Sequence, residues 1–146
     1  MKVKIKKVHE SAVIPEYAKS GDAGLDLTCT ERHYDKERNQ MTYSTGLAIE
    51  IPKGYVGLLF PRSSIYKYEL SLTNAVGVVD SGYRGEIKMI FRNHMNYAGP
   101  FEPFIYNVGD RVGQLVILPY PMIELEETEE LSDSERGALG HGSSGK

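Results

Sequence analysis

Side chains able to do chemistry fall in a few short stretches of the chain. Residues 77–85, Gly-Val-Val-Asp-Ser-Gly-Tyr-Arg-Gly, hold one carboxylate, Asp80, and one aromatic ring, Tyr83. The first half is apolar and β-branched, which suits a strand. The second half has the residues of a turn. Alternation resumes with Ile87, Met89 and Phe91 against Lys88 and Arg92. The pattern predicts a hairpin with strands over 72–79 and 86–91. It presents Asp80 and Tyr83 together at the tip. An Asp that merely starts a turn gives the same local pattern.

Two further stretches could hold an anion. Pro61-Arg62-Ser63-Ser64 follows an apolar strand pattern and precedes a short helical one. A guanidinium, two hydroxyls and helix N-terminal amides would converge there. A plain N-cap by Ser64 explains the same residues. The tail 136–145, Arg-Gly-Ala-Leu-Gly-His-Gly-Ser-Ser-Gly, offers free amides, two hydroxyls and an Arg, which suit a flexible phosphate clamp. Residues 140–145 also match G-x-G-x-x-G. That motif must open a helix after a strand, and a single residue follows it, so a dinucleotide site is excluded. A Gly/Ser linker scar is the other reading of the tail.

Three weaker signals remain. Gly109 to Gln114 puts Asp110 and Gln114 around a turn, with Asp110 and Arg111 as a surface ion pair. Asp26 lies between Leu25 and Leu27, where alternation alone turns it to solvent. His9, His33 and His94 sit apart, with no carboxylate or Cys at ligand spacing, as surface residues do.

These residues need a scaffold, and strand patterns dominate the chain. Val3 and Ile5 alternate with lysines, as on an edge strand. A loop follows around Pro15 and Gly21. Leu25, Leu27 and Cys29 face one way, and Asp26 and Thr28 the other. The charged run 31–40 has no periodicity and is expected to be a solvated connection. Leu47, Ile49 and Ile51 alternate up to a turn at Pro52-Lys53-Gly54. Residues 55–60 are apolar on both faces, as in a central strand, and Gly57 there suggests close backbone approach. One short helical turn is expected over 65–69, capped by Ser64. Residues 94–103 form a loop. Gly109-Asp110 joins a hairpin of strands 104–107 and 112–118. Ile123 and Leu125 give a last strand. Beyond residue 131 there is little to bury.

The chain has 146 residues and a net charge of -3, enough for one domain with a real core. Mild acidity with no basic run excludes nucleic acid or a membrane surface as the main partner. The one cysteine, Cys29, excludes a disulfide framework and fits a small core residue. No targeting or membrane-spanning segment is visible, so a soluble cytoplasmic protein is expected. Short strands with Gly/Pro turns predict an all-β barrel or sandwich.

Taken in order, the stretches beginning at Ala23, Pro61, Asn74, Gly109 and Arg136 resemble the five motifs of the trimeric dUTPases (deoxyuridine triphosphate nucleotidohydrolases). The match spans nearly the whole chain, and the five together are highly specific. The resemblance implies a jelly-roll-like β-barrel over 1–131, with one short helix. A flexible C-terminal arm over 132–146 would close an active site shared between subunits of a homotrimer. It also implies hydrolysis of dUTP to dUMP and pyrophosphate, with Mg2+ across the phosphates.

By position, Asp80 matches the general base that activates water for attack on the α-phosphorus. Asp26 matches the acid that supports the metal through water. Arg62, Ser63, Ser64 and Gln114 match phosphate contacts. Asn74, Gly77, Val78, Val79 and Lys88 match the positions around uracil, where backbone groups at Val78 and Lys88 read the base edge. Tyr83 matches the ring packed under deoxyribose. Arg136 matches the arm residue on the γ-phosphate, and His141, Gly142, Ser143 and Ser144 match the rest of the closing arm. Two positions depart from the family: Gly82 replaces a common Asp, and His141 a common Phe. Two other functions compete. A dCTP deaminase-like enzyme shares the fold, but needs a Glu roughly where Ile90 stands. A dUTPase-like regulatory binding protein could lose Asp80 or the arm, and both are intact.

Overall fold

The computed structural model describes residues 1–95 and 105–140. Among the described residues, nine strands build two antiparallel sheets. They are β1 (Lys4–Lys7), β2 (Leu25–Thr28), β3 (Glu31–Asp35), β4 (Gln40–Glu50), β5 (Tyr55–Phe60), β6 (Leu70–Leu72), β7 (Gly77–Val79), β8 (Glu86–Asn93) and β9 (Arg111–Pro119). One sheet runs β1-β4-β8-β6, with β3 also on β4; the other runs β2-β9-β5-β7. The all-β class expected from the strand pattern, and the jelly-roll-like architecture implied by the family resemblance, are the ones observed.

The core forms where the inner faces meet. On β8, Ile87, Met89, Phe91 and Asn93 are buried, while Lys88, Ile90 and Arg92 are exposed. Such period-two alternation buries one face of a strand. Tyr43 of β4, Phe91 of β8 and Tyr106 pack edge to face, with ring centroids 5.7 to 6.0 Å apart. Each such pair adds about 0.5–1.5 kcal/mol beyond the area it buries. Gly57 is tightly packed, as its place in an apolar run suggested: a Cβ there would lie 2.5 Å from Ile51 Cδ1 and 3.2 Å from Val79 Cβ.

Five expectations are corrected. Residues 31–35 are not a solvated connection but strand β3, paired residue by residue with β4 from Glu31↔Ser44 to Asp35↔Gln40. Charged side chains hid it, because its outer face is exposed. The 77–91 region is not a hairpin. β7 pairs with β5 in one sheet, while β8 pairs with β4 and β6 in the other. The chain changes sheets across the turn, and a sequence shows a turn without showing which partners its arms choose. The helix is a 3-10 helix over Ser63–Lys67, with Arg62 as N-cap and no side-chain cap bond from Ser64. Gly109-Asp110 is not a hairpin turn either. Residues 105–107 carry no strand, and the turn bonds back to Cys29 through Gly109 N–H and Asp110 C=O, at 2.9 and 2.8 Å. Finally, 121–127 forms no strand. Ile123 and Leu125 are exposed because no sheet edge among the described residues pairs with them. Most of the expected 94–103 loop, with residue 104, lies outside the described residues.

Cys29 is buried at the end of β2, as its spacing predicts. Burial pushes its thiol up to about 11. Since the thiolate is the nucleophile, native protein at pH 8 should not react with a disulfide reagent over minutes, whereas denatured protein should react at once. Rapid native reaction, followed by absorbance of the released thiol, would contradict this placement.

Candidate active site

The corner between the sheets builds a cleft of about 570 Å³. Asn74, Gly77, Val78, Val79, Asp80, Tyr83 and Lys88 line it, so the sequence reading of these seven converges on one place. Leu59, Glu86 and Ile87 complete the wall, and sequence reasoning missed them. Leu59 and Ile87 looked like ordinary core residues. Glu86 looked like the first polar residue after a turn.

Strand edges explain why the cleft can recognise a ligand. β7 is the last strand of its sheet, so one side of it is unpaired among the described residues. β6 covers β8 only from Phe91 to Asn93, and Thr73 N–H then donates to the Ile90 carbonyl at 3.0 Å. Backbone groups alternate sides along a strand. The Ile87 carbonyl faces β4, where it accepts the Thr45 hydroxyl at 2.7 Å. The Lys88 N–H and C=O therefore face the other way, to the side where no strand pairs among the described residues. A donor and an acceptor stand together on an open strand edge, which is how an edge recognises a flat polar partner.

The turn is held from within. Tyr83 N–H donates to the Asp80 carbonyl at 3.0 Å. The Arg84 guanidinium donates to the Ser81 and Tyr83 carbonyls at 2.7 and 2.8 Å. The Asp80 side chain stays exposed at the cleft mouth. At the far lip Ala75 adopts φ 58°, uncommon for a residue with a Cβ, next to Asn74 of the cleft wall. Gly82 meets nothing within 4 Å of a built Cβ, so a side chain is sterically acceptable there, as its turn position suggested.

A second cluster lies at the ends of β2, β5 and β9. Asp26 is not a solvent-facing strand residue, as alternation suggested. Its side chain is 14% exposed and pairs with Arg62 at 3.0 Å and Arg111 at 2.9 Å. Gln114, opposite it in register, adds a bond of 3.3 Å to the same carboxylate. The Arg62 guanidinium also reaches the Ser64 hydroxyl at 3.5 Å. Arg111 was expected to pair with Asp110. Instead Asp110 accepts the Asn107 N–H at 2.7 Å, which closes its own turn and releases Arg111 to Asp26. A bond across 85 residues has no local signal in the sequence.

None of Asp26, Arg62, Ser63, Ser64 and Gln114 lines the cleft beside Asp80. Arg136 lies further along the chain and donates to the Leu139 carbonyl at 2.9 Å. His141, Gly142, Ser143 and Ser144 lie outside the described residues.

A family model described as dUTPase matches residues 10–145 of the chain. A deoxyuridine 5'-triphosphate nucleotidohydrolase of Nautilia profundicola is 44% identical, over 100% of each chain. One from Corynebacterium glutamicum is 41% identical, over 99% of this chain and 95% of its own. Among solved structures, a dUTPase variant of Staphylococcus bacteriophage 80alpha with dUpNHpp is 30% identical with TM-score 0.84, covering 99% of each chain. A dUTPase variant of phage phi11, described with a structural Mg(II) ion, is 29% identical with TM-score 0.76, covering 89% of this chain and 98% of its own.

Replacing Asp26 with Ala would leave two guanidiniums facing each other without their carboxylate. The expected cost is about 1.5–3 kcal/mol, mostly from the Arg62 side, because Arg111 is half exposed and its pair is screened. Chemical denaturation of Asp26→Ala at fixed protein concentration measures it, and unchanged stability would show that the junction is only a surface contact.

Proposed function

The chain belongs to the dUTPase family, and from that premise we propose that it hydrolyses dUTP to dUMP and pyrophosphate. Such an activity limits uracil incorporation into DNA and supplies dUMP for thymidylate synthesis. The observation that carries the reading is the open Lys88 edge in the same cleft as Asp80 and Tyr83. Uracil presents a carbonyl beside an N–H along one edge, which complements one backbone N–H and one C=O. Cytosine reverses a donor and an acceptor and leaves buried groups unpaired, and that costs far more than a missing methylene. In this reading uracil lies between β7 and β8, where a 5-methyl group would be excluded. Tyr83 packs under deoxyribose, where a 2'-hydroxyl would meet the ring.

Asp80 takes a proton from the attacking water. A carboxylate is a weak base toward water, so the phosphorus must also become electrophilic. Arg62, Ser63, Ser64 and Gln114 serve the phosphates. Arg62 and Gln114 already stand aligned on Asp26, so little ordering remains when an anion arrives.

The donor set fits a magnesium ion carried by the nucleotide. Both Asp26 oxygens are engaged by nitrogen donors, so the carboxylate reaches a cation through its water shell, which Mg2+ sheds reluctantly. When bound, the ion neutralises charge across the phosphates.

The Asp26 cluster stands apart from the Asp80 cleft within one chain, which supports a homotrimer with sites shared between subunits. Residues 132–146, with Arg136 and His141, would close over each site from another subunit. That length of polar, Gly-rich chain suits ordering on ligand binding. Residues 1–131 are the folded domain in this reading, and a soluble cytoplasmic enzyme is its natural setting.

Pyrophosphate release should be magnesium-dependent with dUTP, and at least about a thousandfold slower with dTTP or dCTP. Equal rates on dCTP would sink the uracil reading. Asp80→Asn should abolish turnover while dUTP still binds, as read by calorimetry. Retained turnover would remove Asp80 as the base.

A further inference from the structure

The Tyr83 ring rests on a seat built by the residues that follow it. Gly85 does not have positive φ, so its backbone conformation suits any L-residue. The space is what excludes one. A Cβ at Gly85 would run into the Tyr83 hydroxyl and lie 2.6 Å from Cζ of the ring. The glycine is there to admit the ring. The same hydroxyl donates to the Glu86 carbonyl at 3.0 Å, which ties the ring tip to the start of β8.

Glu86 is fixed in turn. Its Oε1 accepts the Gly46 N–H at 2.8 Å and its Oε2 pairs with Lys88 Nζ at 3.2 Å. Gly46 has φ 66° and lies where the β4–β8 register shifts between Ser44 and Ala48, so its N–H is outside the regular ladder. The Glu86 carboxylate satisfies it and locks β8 to the bulge. The ring position is thus transmitted from the bulge, through Glu86, to the floor of the cleft.

We propose that Gly85 and Glu86 are specificity-determining residues that set the position of the Tyr83 ring, and through it the preference for deoxyribose over ribose. The inference rests on the proposed dUTP hydrolysis. Neither residue touches the reacting phosphorus; both act through Tyr83. A ring displaced from the seat no longer packs against C2', so it both holds deoxyribose less well and excludes a 2'-hydroxyl less well. The seat differs from the Arg84 bonds to Ser81 and Tyr83, which hold the turn backbone and leave the ring direction free.

The test compares kcat/KM for dUTP and UTP. This ratio is insensitive to the fraction of folded protein, so a merely structural effect does not move it. Gly85→Ala should lower the dUTP-over-UTP ratio by about tenfold or more, since an ångström of misplacement can cost up to about a hundredfold. Gly82→Ala, in the same turn but with open space around its Cβ, should leave the ratio unchanged. Tyr83→Phe, which keeps the ring and removes its tether to Glu86, should lower the ratio by a smaller factor, and it provides the test if Gly85→Ala does not fold. A ratio unchanged in both Gly85→Ala and Tyr83→Phe, in a wild-type enzyme that hydrolyses dUTP, overturns the seat. A wild-type protein without dUTP hydrolysis overturns instead the reading on which it rests.

Discussion

Everything at the candidate site depends on one constraint: β7 and β8 are neighbours in sequence but belong to different sheets. A hairpin would have paired their backbones with each other and used up their hydrogen-bonding groups. Parting them leaves an open edge on each side of a narrow space. Left dry and unpaired, such groups would cost about 1–3 kcal/mol each; kept open to water, they are available to a flat polar partner. The turn that bridges the sheets must then hold without a ladder. The Asp80–Tyr83 backbone bond and the Arg84 guanidinium supply that rigidity.

The charge arrangement is the second layer. Asp26 gathers two guanidiniums and an amide at one point of the fold. Without that carboxylate, two like charges would repel each other at the strand ends. With it, the cationic groups are oriented while still largely on the surface side of the barrel. In the proposed reaction an arriving polyphosphate would find its donors already grouped, and little side-chain entropy would be lost in the encounter.

Much of this was legible in the residues. Alternation found β1, β2, the end of β4 and the buried face of β8, because period two survives in any sequence that covers a core on one side, and β5 was legible instead as a run apolar on both faces. It failed at β3, where charged side chains flank the strand, and at 121–127, where an apolar alternation has no edge to join among the described residues. The cleft residues were legible because Asp80, Tyr83 and their neighbours are close in sequence. The bond of Gly46 to Glu86 behind the Tyr83 seat, and the bond of Arg111 to Asp26, were not. Each joins residues tens of positions apart through a bulge or a register that only the assembled sheets define. Ser64 as a cap was a reasonable local guess that lost to Arg62, whose extended backbone starts the 3-10 helix while its side chain turns to Asp26.

The role proposed for Asp80 at the cleft mouth is to direct water at the α-phosphorus rather than at the outer phosphates. Turnover of dUTP in water enriched in oxygen-18, followed by mass spectrometry of both products, tests that role directly. One labelled oxygen in the phosphate of dUMP, with unlabelled pyrophosphate, is the expected result. Label in the pyrophosphate would place the attack on the β-phosphorus and contradict the role given to Asp80 and the corner that holds it.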